Sequence, residues 1–475
     1  MASLPRNFKK AAAYALGDPA LQRALLNVKR GFVVKRESAR ANLPEFDTLR
    51  DEGRAIRDHT LAHLDLYLEA YERKVTESGG HVHYALNAAE ARAIVLRLCQ
   101  DAGARLVTKG KSMVSEEIGL NAHLQASGVE VVETDLGEYI AQMRGERPSH
   151  IIAPVIHLNK ESIERDFRRA HPNLPPQRRL DQAGDLVAEA RQILRGKFLT
   201  AEAGITGANF LIAETGSSVI VTNEGNGDLT ATLPRTHIVI ASIEKLVPTL
   251  EDACLLLRLL ARSATGQDIT TYTSFSTGPR RSSDPDGPSA YHVVLLDNGR
   301  SEMLGNEFAD MLRCIRCGAC LNHCPVYGAI GGHAYGSVYP GPMGAVLTPQ
   351  LHGLDRARDL PNASTLCGRC EAVCPVAVPL PDMMRTWRER DFMRRNPALK
   401  ERLILRVWAF AAKRPRLYRA LSRTAARVLA RRAGQRGRLR RVPFLKTWTV
   451  TRDLPAPQGE TFHDIYARRQ RSKGQ

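Results

Sequence analysis

The sequence predicts an α/β domain, followed by a helical cysteine-rich domain and a basic helical tail. Short apolar runs bounded by Gly, Asp and Pro alternate with helical patterns over residues 81–300, which is typical of an α/β domain. Seven of the nine cysteines then fall between Cys314 and Cys374. From Arg385 onwards, 26 Lys and Arg stand against 6 Asp and Glu, whereas the preceding 384 residues hold 42 against 44. The excess positive charge therefore belongs to the tail alone.

These patterns divide the chain into four segments. We expect a helical segment at 1–80, the α/β domain at 81–300, the cysteine-rich domain at 301–384 and the tail at 385–475. Apolar residues at three- and four-residue intervals predict the first helices. No stretch approaches the roughly 18 uninterrupted apolar residues of a membrane span, and the N-terminus lacks the long apolar segment of a secretory signal. We therefore expect a cytoplasmic protein.

Helices and short strands alternate within the α/β domain. Asn87 is expected to begin a helix that ends near Gly103. Another helix is predicted at 249–264, and a hairpin is predicted around Gly216. Short buried strands are predicted at 105–110, 129–136, 150–158, 236–248, 270–277 and 291–298. Neither a G-x-G-x-x-G turn nor a Walker A loop is present, so the sequence shows no nucleotide-binding motif.

The first cysteine run has the spacing C-x2-C-x2-C-x3-C-P. It contains Cys314, Cys317, Cys320 and Cys324, followed by Pro325. Thiolates at these intervals let one loop place three sulfurs around one iron–sulfur cluster, while the fourth sulfur projects towards a second cluster. Structural zinc sites usually pair two C-x2-C knuckles, and disulfides are rare in cytosolic proteins. The spacing therefore favours iron–sulfur clusters.

The second run, STLCGRCEAVCP at 364–375, has Ser364 where a fourth cysteine would stand. Three thiolates suit a three-iron (3Fe–4S) centre, or a four-iron (4Fe–4S) centre with a serine oxygen, water or an external ligand on one iron. We favour a helix-cap role for Ser364, because hydroxyl is a poor iron ligand beside thiolate. Since the fourth cysteine of a run serves the other cluster, the expected ligands are Cys314, Cys317, Cys320 and Cys374 for a complete four-iron cluster, and Cys324, Cys367 and Cys370 for the second.

The remaining cysteines, Cys99 and Cys254, lie in helical apolar patterns. Cysteine often packs in protein cores as a small apolar side chain. We therefore expect both thiols to be buried and to play no part in binding iron.

Several motifs are specific enough to indicate a family. They are the two cysteine runs together with TKGKSMVSEEIGLN (108–121), VVETDLGEYIAQ (131–142), PSHIIAPVIHLNK (148–160) and ETGSSVIVTNEGN (214–226). Through these motifs the sequence closely resembles the lactate utilization protein B family over essentially the whole chain. The resemblance implies two iron–sulfur clusters and electron carriage beside two partner proteins that together oxidise L-lactate to pyruvate. It also implies that Ser364 is a family trait.

The resemblance extends to the fold. The α/β domain resembles the lactate-utilization domain, a relative of the sugar-phosphate isomerase and formyltetrahydrofolate cyclo-ligase folds. The cysteine-rich domain resembles the α-helical ferredoxin domain of succinate dehydrogenase and glycolate oxidase iron–sulfur subunits. Four charged residues of the α/β domain are candidates to line a cleft at the strand ends, although such loop residues are more often merely solvated: Lys109, Glu116, Glu117 and Glu214.

Three functions remain open at this point. The first is an electron-transfer subunit that meets an electron donor and an acceptor protein. The second is an enzyme that uses an open iron of the three-cysteine cluster to bind a hydroxy acid. The third is a nucleic-acid-binding protein, which the basic stretch at 413–441 would suit by charge alone. No recognised nucleic-acid motif accompanies that charge, so we expect the tail to dock an acidic partner subunit or touch an anionic membrane surface.

Overall fold

The fold is taken from a computed structural model, which describes residues 7–394, 399–440, 442, 449 and 452–473. The chain divides into two compact units, Met1–Asp391 and Phe392–Gln475. Every helix among the described residues is too short or too polar to span a lipid bilayer.

Five helices open the first unit, as the apolar spacing predicts. Their buried faces carry Leu25, Phe46 and Tyr71, which lie three or four residues from further buried side chains. Asn7 accepts a hydrogen bond from the amide of Lys10 and so caps the first helix. The five are α1 (Phe8–Gly17), α2 (Pro19–Val28), α3 (Val34–Ala41), α4 (Phe46–Ala62) and α5 (Leu64–Glu77).

The strands that follow form two sheets. In the described part of the first unit they are β1 (His81–Ala85), β2 (Leu106–Gly110), β3 (Glu130–Glu133), β4 (Ala203–Thr206), β5 (Phe210–Ile212), β6 (Ser217–Thr222), β7 (Thr236–Ser242), β8 (Leu246–Val247), β9 (Tyr272–Ser276) and β10 (Ala290–Leu296).

The larger sheet has the order β1-β10-β7-β4-β2-β3, and all its neighbouring strands are parallel. Every residue of the near-central strand β7 is buried, as expected where helices cover both faces of a parallel sheet. The chain runs outward from β2 to β3, and in the opposite direction from β4 through β7 to β10. The strand order therefore reverses between β2 and β4, which is where α/β folds open a crevice at the carboxyl ends of their strands.

The smaller sheet has the order β8-β5-β6-β9. Strands β5 and β6 pair antiparallel with Phe210 opposite Val219, which confirms the predicted hairpin. Gly216 has φ +71° at its turn, a conformation that glycine adopts without steric cost.

Helices alternate with the strands of this domain. Asn87 accepts hydrogen bonds from the amides of Ala89 and Glu90, and Thr249 and Asp252 form a capping box, so the two helices predicted in this domain are confirmed. The helices are α6 (Ala88–Asp101), α7 (Met113–Ile118), α8 (Leu120–Ala126), α9 (Leu136–Arg144), α10 (Lys160–Ala170), α11 (Ala183–Thr200), α12 (Asn226–Thr232) and α13 (Leu250–Ala264).

The prediction of a strand at 150–158 is wrong, because these residues form bends and turns. The ring of His150 is buried, and its Nδ1 lies 3.2 Å from the amides of both Ile152 and Ala153. Such local side-chain bonds compete with a sheet ladder for the backbone amides. Conversely, β1 was not predicted, since its histidines interrupt the apolar pattern.

The cysteine-rich region consists of short helices joined by turns. They are α14 (Ser301–Leu304), α15 (Ala319–Asn322), α16 (Tyr327–Ile330), α17 (Gly341–His352), α18 (Leu354–Ala357), α19 (Arg369–Ala372) and α20 (Leu380–Arg394). In α20, the indole of Trp387 stacks on Phe308 at 4.2 Å between ring centroids and donates a hydrogen bond to the carbonyl of Val346. These contacts hold α20 against the rest of the region.

The second unit is mainly helical, as predicted. It contains α21 (Leu399–Ala412), α22 (Pro415–Ala433), the two-residue strands β11 (Arg438–Leu439) and β12 (Leu454–Pro455), and α23 (Phe462–Lys473). Thr461 and Asp464 accept hydrogen bonds from each other's backbone amides at the start of α23. Residue 441 of the basic stretch lies outside the described residues.

Replacing Gly204 by alanine is expected to destabilise the sheet. A Cβ atom on Gly204 in β4 would lie 1.8 Å from the carbonyl oxygen of Thr230, and relieving such overpacking costs about 1–3 kcal/mol. Chemical denaturation of G204A should show a lower midpoint. The matched control is G196A in α11, where a Cβ meets nothing within 4 Å. There, helix propensity predicts equal or greater stability, and an unchanged midpoint for G204A would contradict the packing described here.

Candidate iron–sulfur site

The two cysteine runs adopt the same local backbone. In the first run Arg316 has φ +62° and Gly318 has φ +74°, and α15 begins immediately afterwards. In the second run Leu366 has φ +53° and Gly368 has φ +78°, and α19 follows. Two left-handed residues around one cysteine curl the chain tightly, so each run presents its thiols from a single loop.

The structure brings four of the predicted ligands together around one enclosed, largely apolar cavity. Burial raises the pKa of Cys317 to about 12 and that of Cys374 to about 11. It raises the pKa of Cys320 well above the ordinary value, and the negative charges of neighbouring cysteines raise it further. The wall of the cavity comprises Cys314, Cys317, Cys320 and Cys374 with Ile151, Met311, Ile315, Gly318, Met343, Pro375, Val376, Val378 and Leu380.

The other three cysteines form a second group. Burial raises the pKa of Cys370 to about 12, and the charges of Cys324 and Cys367 add to the effect. Cys367 itself is exposed. A hydrogen bond from the backbone of Arg369 and another from the side chain of Thr365 lower its pKa. The second group therefore extends from the interior to the protein surface.

Both groups suit an iron–sulfur cluster. Among the described residues, the wall of the first cavity contains thiols and apolar groups but no carboxylate or imidazole. Thiols buried in this way keep their protons unless a metal ion stabilises the thiolate. Two backbone amides also point at ligand sulfurs, with Tyr327 N 3.5 Å from Cys324 Sγ and Val378 N 3.3 Å from Cys374 Sγ. Bonds of this kind tune iron–sulfur potentials.

Ser364 stabilises a turn. Its hydroxyl accepts a hydrogen bond from the amide of Leu366 at 3.1 Å, and its carbonyl accepts one from Arg388 Nη2 at 3.0 Å. Since α19 begins after Gly368, the prediction that Ser364 caps a helix is wrong. The serine shapes the turn that leads into Cys367.

Two arginines of the N-terminal helices hold the second run in place. Arg36 Nη2 donates to the carbonyl of Val373 at 2.9 Å, and Arg50 Nε donates to the carbonyl of Cys374 at 2.7 Å. Hydrogen bonds from charged donors are stronger than neutral ones. Neither arginine was predicted to serve the site, because the sequence does not reveal a partner more than 300 residues away.

A buried charge network joins the first cysteine run to the sheet. Arg300 Nη2 lies 2.7 Å from Glu117 Oε2, and its Nε lies 2.9 Å from Glu244 Oε2. Glu244 Oε1 in turn pairs with Arg316 Nη2 at 2.9 Å, and Tyr339 donates its hydroxyl to Glu117 at 2.8 Å. Burial opposes ionisation of Glu244, but the adjacent arginines hold its pKa at about 2.

The four charged residues proposed for a shared cleft have separate structural roles. Lys109 is buried and pairs with Glu116 at 2.8 Å and with Glu133 at 2.7 Å. Glu117 belongs to the charge network, and Glu214 accepts a hydrogen bond from the amide that begins α13. None of the four proposed residues lines the pocket at the switch between β2 and β4.

That pocket, which we call the switch pocket, has a volume of about 180 Å³. Lys111 and Ser112 reach it from the end of β2, Gly207 and Asn209 from the end of β4, and Lys245 from the chain after β7. The cysteine region closes it with Arg316 and Tyr339. These residues were missed, although the position of Lys111 directly after a predicted strand was a usable signal.

Burial and the charge of Arg316 lower the pKa of Lys245 to about 8, whereas the charges of Glu244 and Cys314 act in the opposite direction. No carboxylate among the described residues forms an ion pair with its Nζ, and a buried ammonium group without such a partner is costly. An anion in the switch pocket would offset that cost.

Comparisons with known proteins agree with this arrangement. The model for a LUD domain matches residues 68–296, and the model for a 4Fe-4S dicluster domain matches residues 310–378. A third model, for the C-terminal region of lactate utilisation protein B, matches residues 388–471. The chain is therefore a LUD-domain iron–sulfur protein with a dicluster domain.

Proteins that are similar over nearly the whole chain identify a family within this class. Lactate utilization protein B of Macrococcus caseolyticus is 43% identical over 464 residues, which are 96% of each chain. Lactate utilization protein B of Bacillus pumilus is 42% identical over 469 residues, or 98% of each chain. An Escherichia coli K12 protein named uncharacterized electron transport protein YkgF is 40% identical over 98% of this chain and 97% of its own. The chain belongs to the lactate utilization protein B family.

Replacing Glu244 by glutamine is expected to cost about 3–5 kcal/mol of unfolding free energy, since it leaves two buried arginines without their shared carboxylate. Denaturant titration of E244Q and of a control, E45Q, would measure the difference. Glu45 pairs with Arg258 at 2.6 Å, but both side chains are about half exposed, and exposed pairs contribute roughly 0–1 kcal/mol. Equal stabilities of the two variants would argue against the charge network.

Proposed function

We propose that the protein is an electron-transfer subunit that carries electrons through two iron–sulfur clusters during the oxidation of L-lactate to pyruvate. The observation that carries the proposal is the pair of adjacent cysteine groups, one enclosed and one reaching the surface. The names of its relatives and the match to a dicluster domain support the same role.

Each of the two cysteine groups is proposed to bind one cluster. Cys314, Cys317, Cys320 and Cys374 would hold a four-iron cluster, and Cys324, Cys367 and Cys370 would hold the second cluster, of either the four-iron or the three-iron type. When bound, the clusters accept and release single electrons. The chain's own residues enclose the first cluster in apolar side chains and direct amides towards Cys324 and Cys374.

Electrons are proposed to move between the enclosed cluster and the exposed one. The charge of Cys370 contributes to the raised pKa of Cys320, which supports a placement of the two groups near each other. The exposed Cys367 then gives a partner protein access to one end of the route. The other end of the proposed route is the first cavity, beside the loop that contains Arg316.

The basic second unit is proposed to dock an acidic partner subunit of a lactate-oxidising complex. Helix α22 carries arginines at exposed positions, and α21 exposes large apolar side chains. Aromatic and arginine side chains are enriched at protein interfaces. On α21 the exposed residues are Leu399, Leu403, Ile404, Leu405, Val407, Trp408 and Phe410.

We also infer domain limits and fold relationships. The larger sheet lies between His81 and Leu296, and the two cysteine runs lie between Cys314 and Cys374. These positions support an α/β domain at 81–300, with the isomerase or cyclo-ligase type of fold, and a helical ferredoxin domain at 301–384. A helical segment at 1–80 and a tail at 385–475 would complete the chain.

Anaerobically purified protein is expected to contain two clusters that dithionite reduces. Iron quantification and electron paramagnetic resonance would measure both. Replacing Cys374 by serine leaves three thiolates in the first group, so it should change the signal of the first cluster and spare the second. Replacing Cys367 leaves only two thiolates in the second group, so it should abolish the second cluster and spare the first. The control is C254S, because Cys254 is exposed, contrary to its predicted burial, and belongs to neither group.

The same spectra test the remaining alternatives. An oxidised three-iron signal would assign the second cluster to that type. A shift of the second cluster's signal on adding L-lactate would favour an enzyme that binds a hydroxy acid at an open iron. Zinc without iron would overturn the proposed function.

A further inference from the structure

The switch pocket is an open crevice with two buried cationic side chains in its wall, Lys245 and Arg316. Lys245 is 7% exposed. Among the described residues its ammonium group has no hydrogen-bond or ion-pair partner. The Nη2 atom of Arg316 forms an ion pair with Glu244, but its Nη1 atom is buried and has no hydrogen-bond partner among the described residues. An unpaired lysine and an arginine with one unpartnered nitrogen in the wall of one small space indicate a site for an anion, because buried charges are otherwise paired.

The other charged groups of the pocket do not cancel this positive charge. Lys111 pairs with Asp135, which neutralises that carboxylate. Burial raises the pKa of Glu138 well above the ordinary value, and the nearby Glu133 and Asp135 raise it further. Burial therefore disfavours a negative charge on Glu138, although the charges of Lys109 and Lys111 act in the opposite direction.

The remaining wall limits the size and chemistry of the ligand. Ile151, Ile240 and Leu260 offer apolar surface for a short alkyl group, while Asn209 and Ser112 offer polar atoms for a second oxygen. A volume of about 180 Å³ suits a molecule of a few heavy atoms better than a nucleotide. Sites of this kind place a few polar groups among apolar walls.

We propose that the switch pocket binds a small monocarboxylate of the 2-hydroxy or 2-oxo acid class, with its carboxylate held by Lys245 and Arg316. Arg316 lies between Cys314 and Cys317, so a bound acid would lie beside the first cysteine group. The inference deepens the proposed function and rests on it, since it names the ligand class and the residues that would receive it.

Isothermal titration of the anaerobically purified, iron-loaded full chain with L-lactate and with pyruvate tests the proposal. Saturable binding is expected for at least one of them, and acetate and inorganic phosphate should bind more weakly. K245M and R316Q should each lose about 10- to 100-fold in affinity, because a hydrogen bond to a charged group contributes about that factor. Matched controls are K74M and R258Q, whose exposed side chains pair with Glu77 and Glu45 and do not line the pocket.

Iron content and the reduced spectrum of each variant are measured alongside the affinity. Lost affinity with both clusters intact supports the carboxylate site. The inference is overturned if the iron-loaded wild type shows no saturable binding, if K245M binds as tightly as the wild type, or if acetate and phosphate bind equally well. It is also overturned if K245M changes only the cluster signal, since Lys245 would then merely balance the cluster charge. Absent or irreducible clusters would instead count against the proposed function.

Discussion

The rest of the first unit depends on the ion pairs of one buried side chain, the guanidinium of Arg300. In the sequence, Arg300 lies between the last strand of the larger sheet and the cysteine region. Its guanidinium forms ion pairs with both Glu117 of α7 and Glu244, which follows β7. Through Glu244 it also fixes Arg316 in the first cysteine loop. Charges this deeply buried are tolerated only as a complete set, so the sheet and the cysteine loop have one favourable relative position.

The chemistry of the site was more predictable than its surroundings. Cysteine spacing is a local signal, so both runs could be read directly, whereas their division between two clusters stays a prediction. Most strands followed from short apolar runs. The predicted strand at 150–158 was wrong because the ring of His150 takes the backbone amides that a ladder would need. The pairing of Glu244 with Arg316 joins residues 72 positions apart, and no sequence pattern links them. The switch pocket was missed for the same reason.

The two cysteine groups differ in environment in a way that suits different tasks. The first is enclosed by apolar side chains and lies next to a cationic pocket, whereas the second reaches solvent through Cys367. Desolvation disfavours added negative charge, and nearby arginine and lysine side chains favour it. If both proposals hold, one chain would offer a small molecule and a protein partner separate approaches to neighbouring clusters.

The hydrogen bonds from Arg36 and Arg50 to residues around Cys374 constrain how the protein is made. Arg50 and its acceptor are 324 residues apart, so α3 and α4 leave the ribosome long before the second cysteine run exists. Their docking surface is completed only when the chain is nearly finished. A nascent or truncated chain that ends before Cys374 has neither the last thiol of the first group nor the segment that these arginines hold. The four thiols of the first group are therefore complete only after the second cysteine run has been translated.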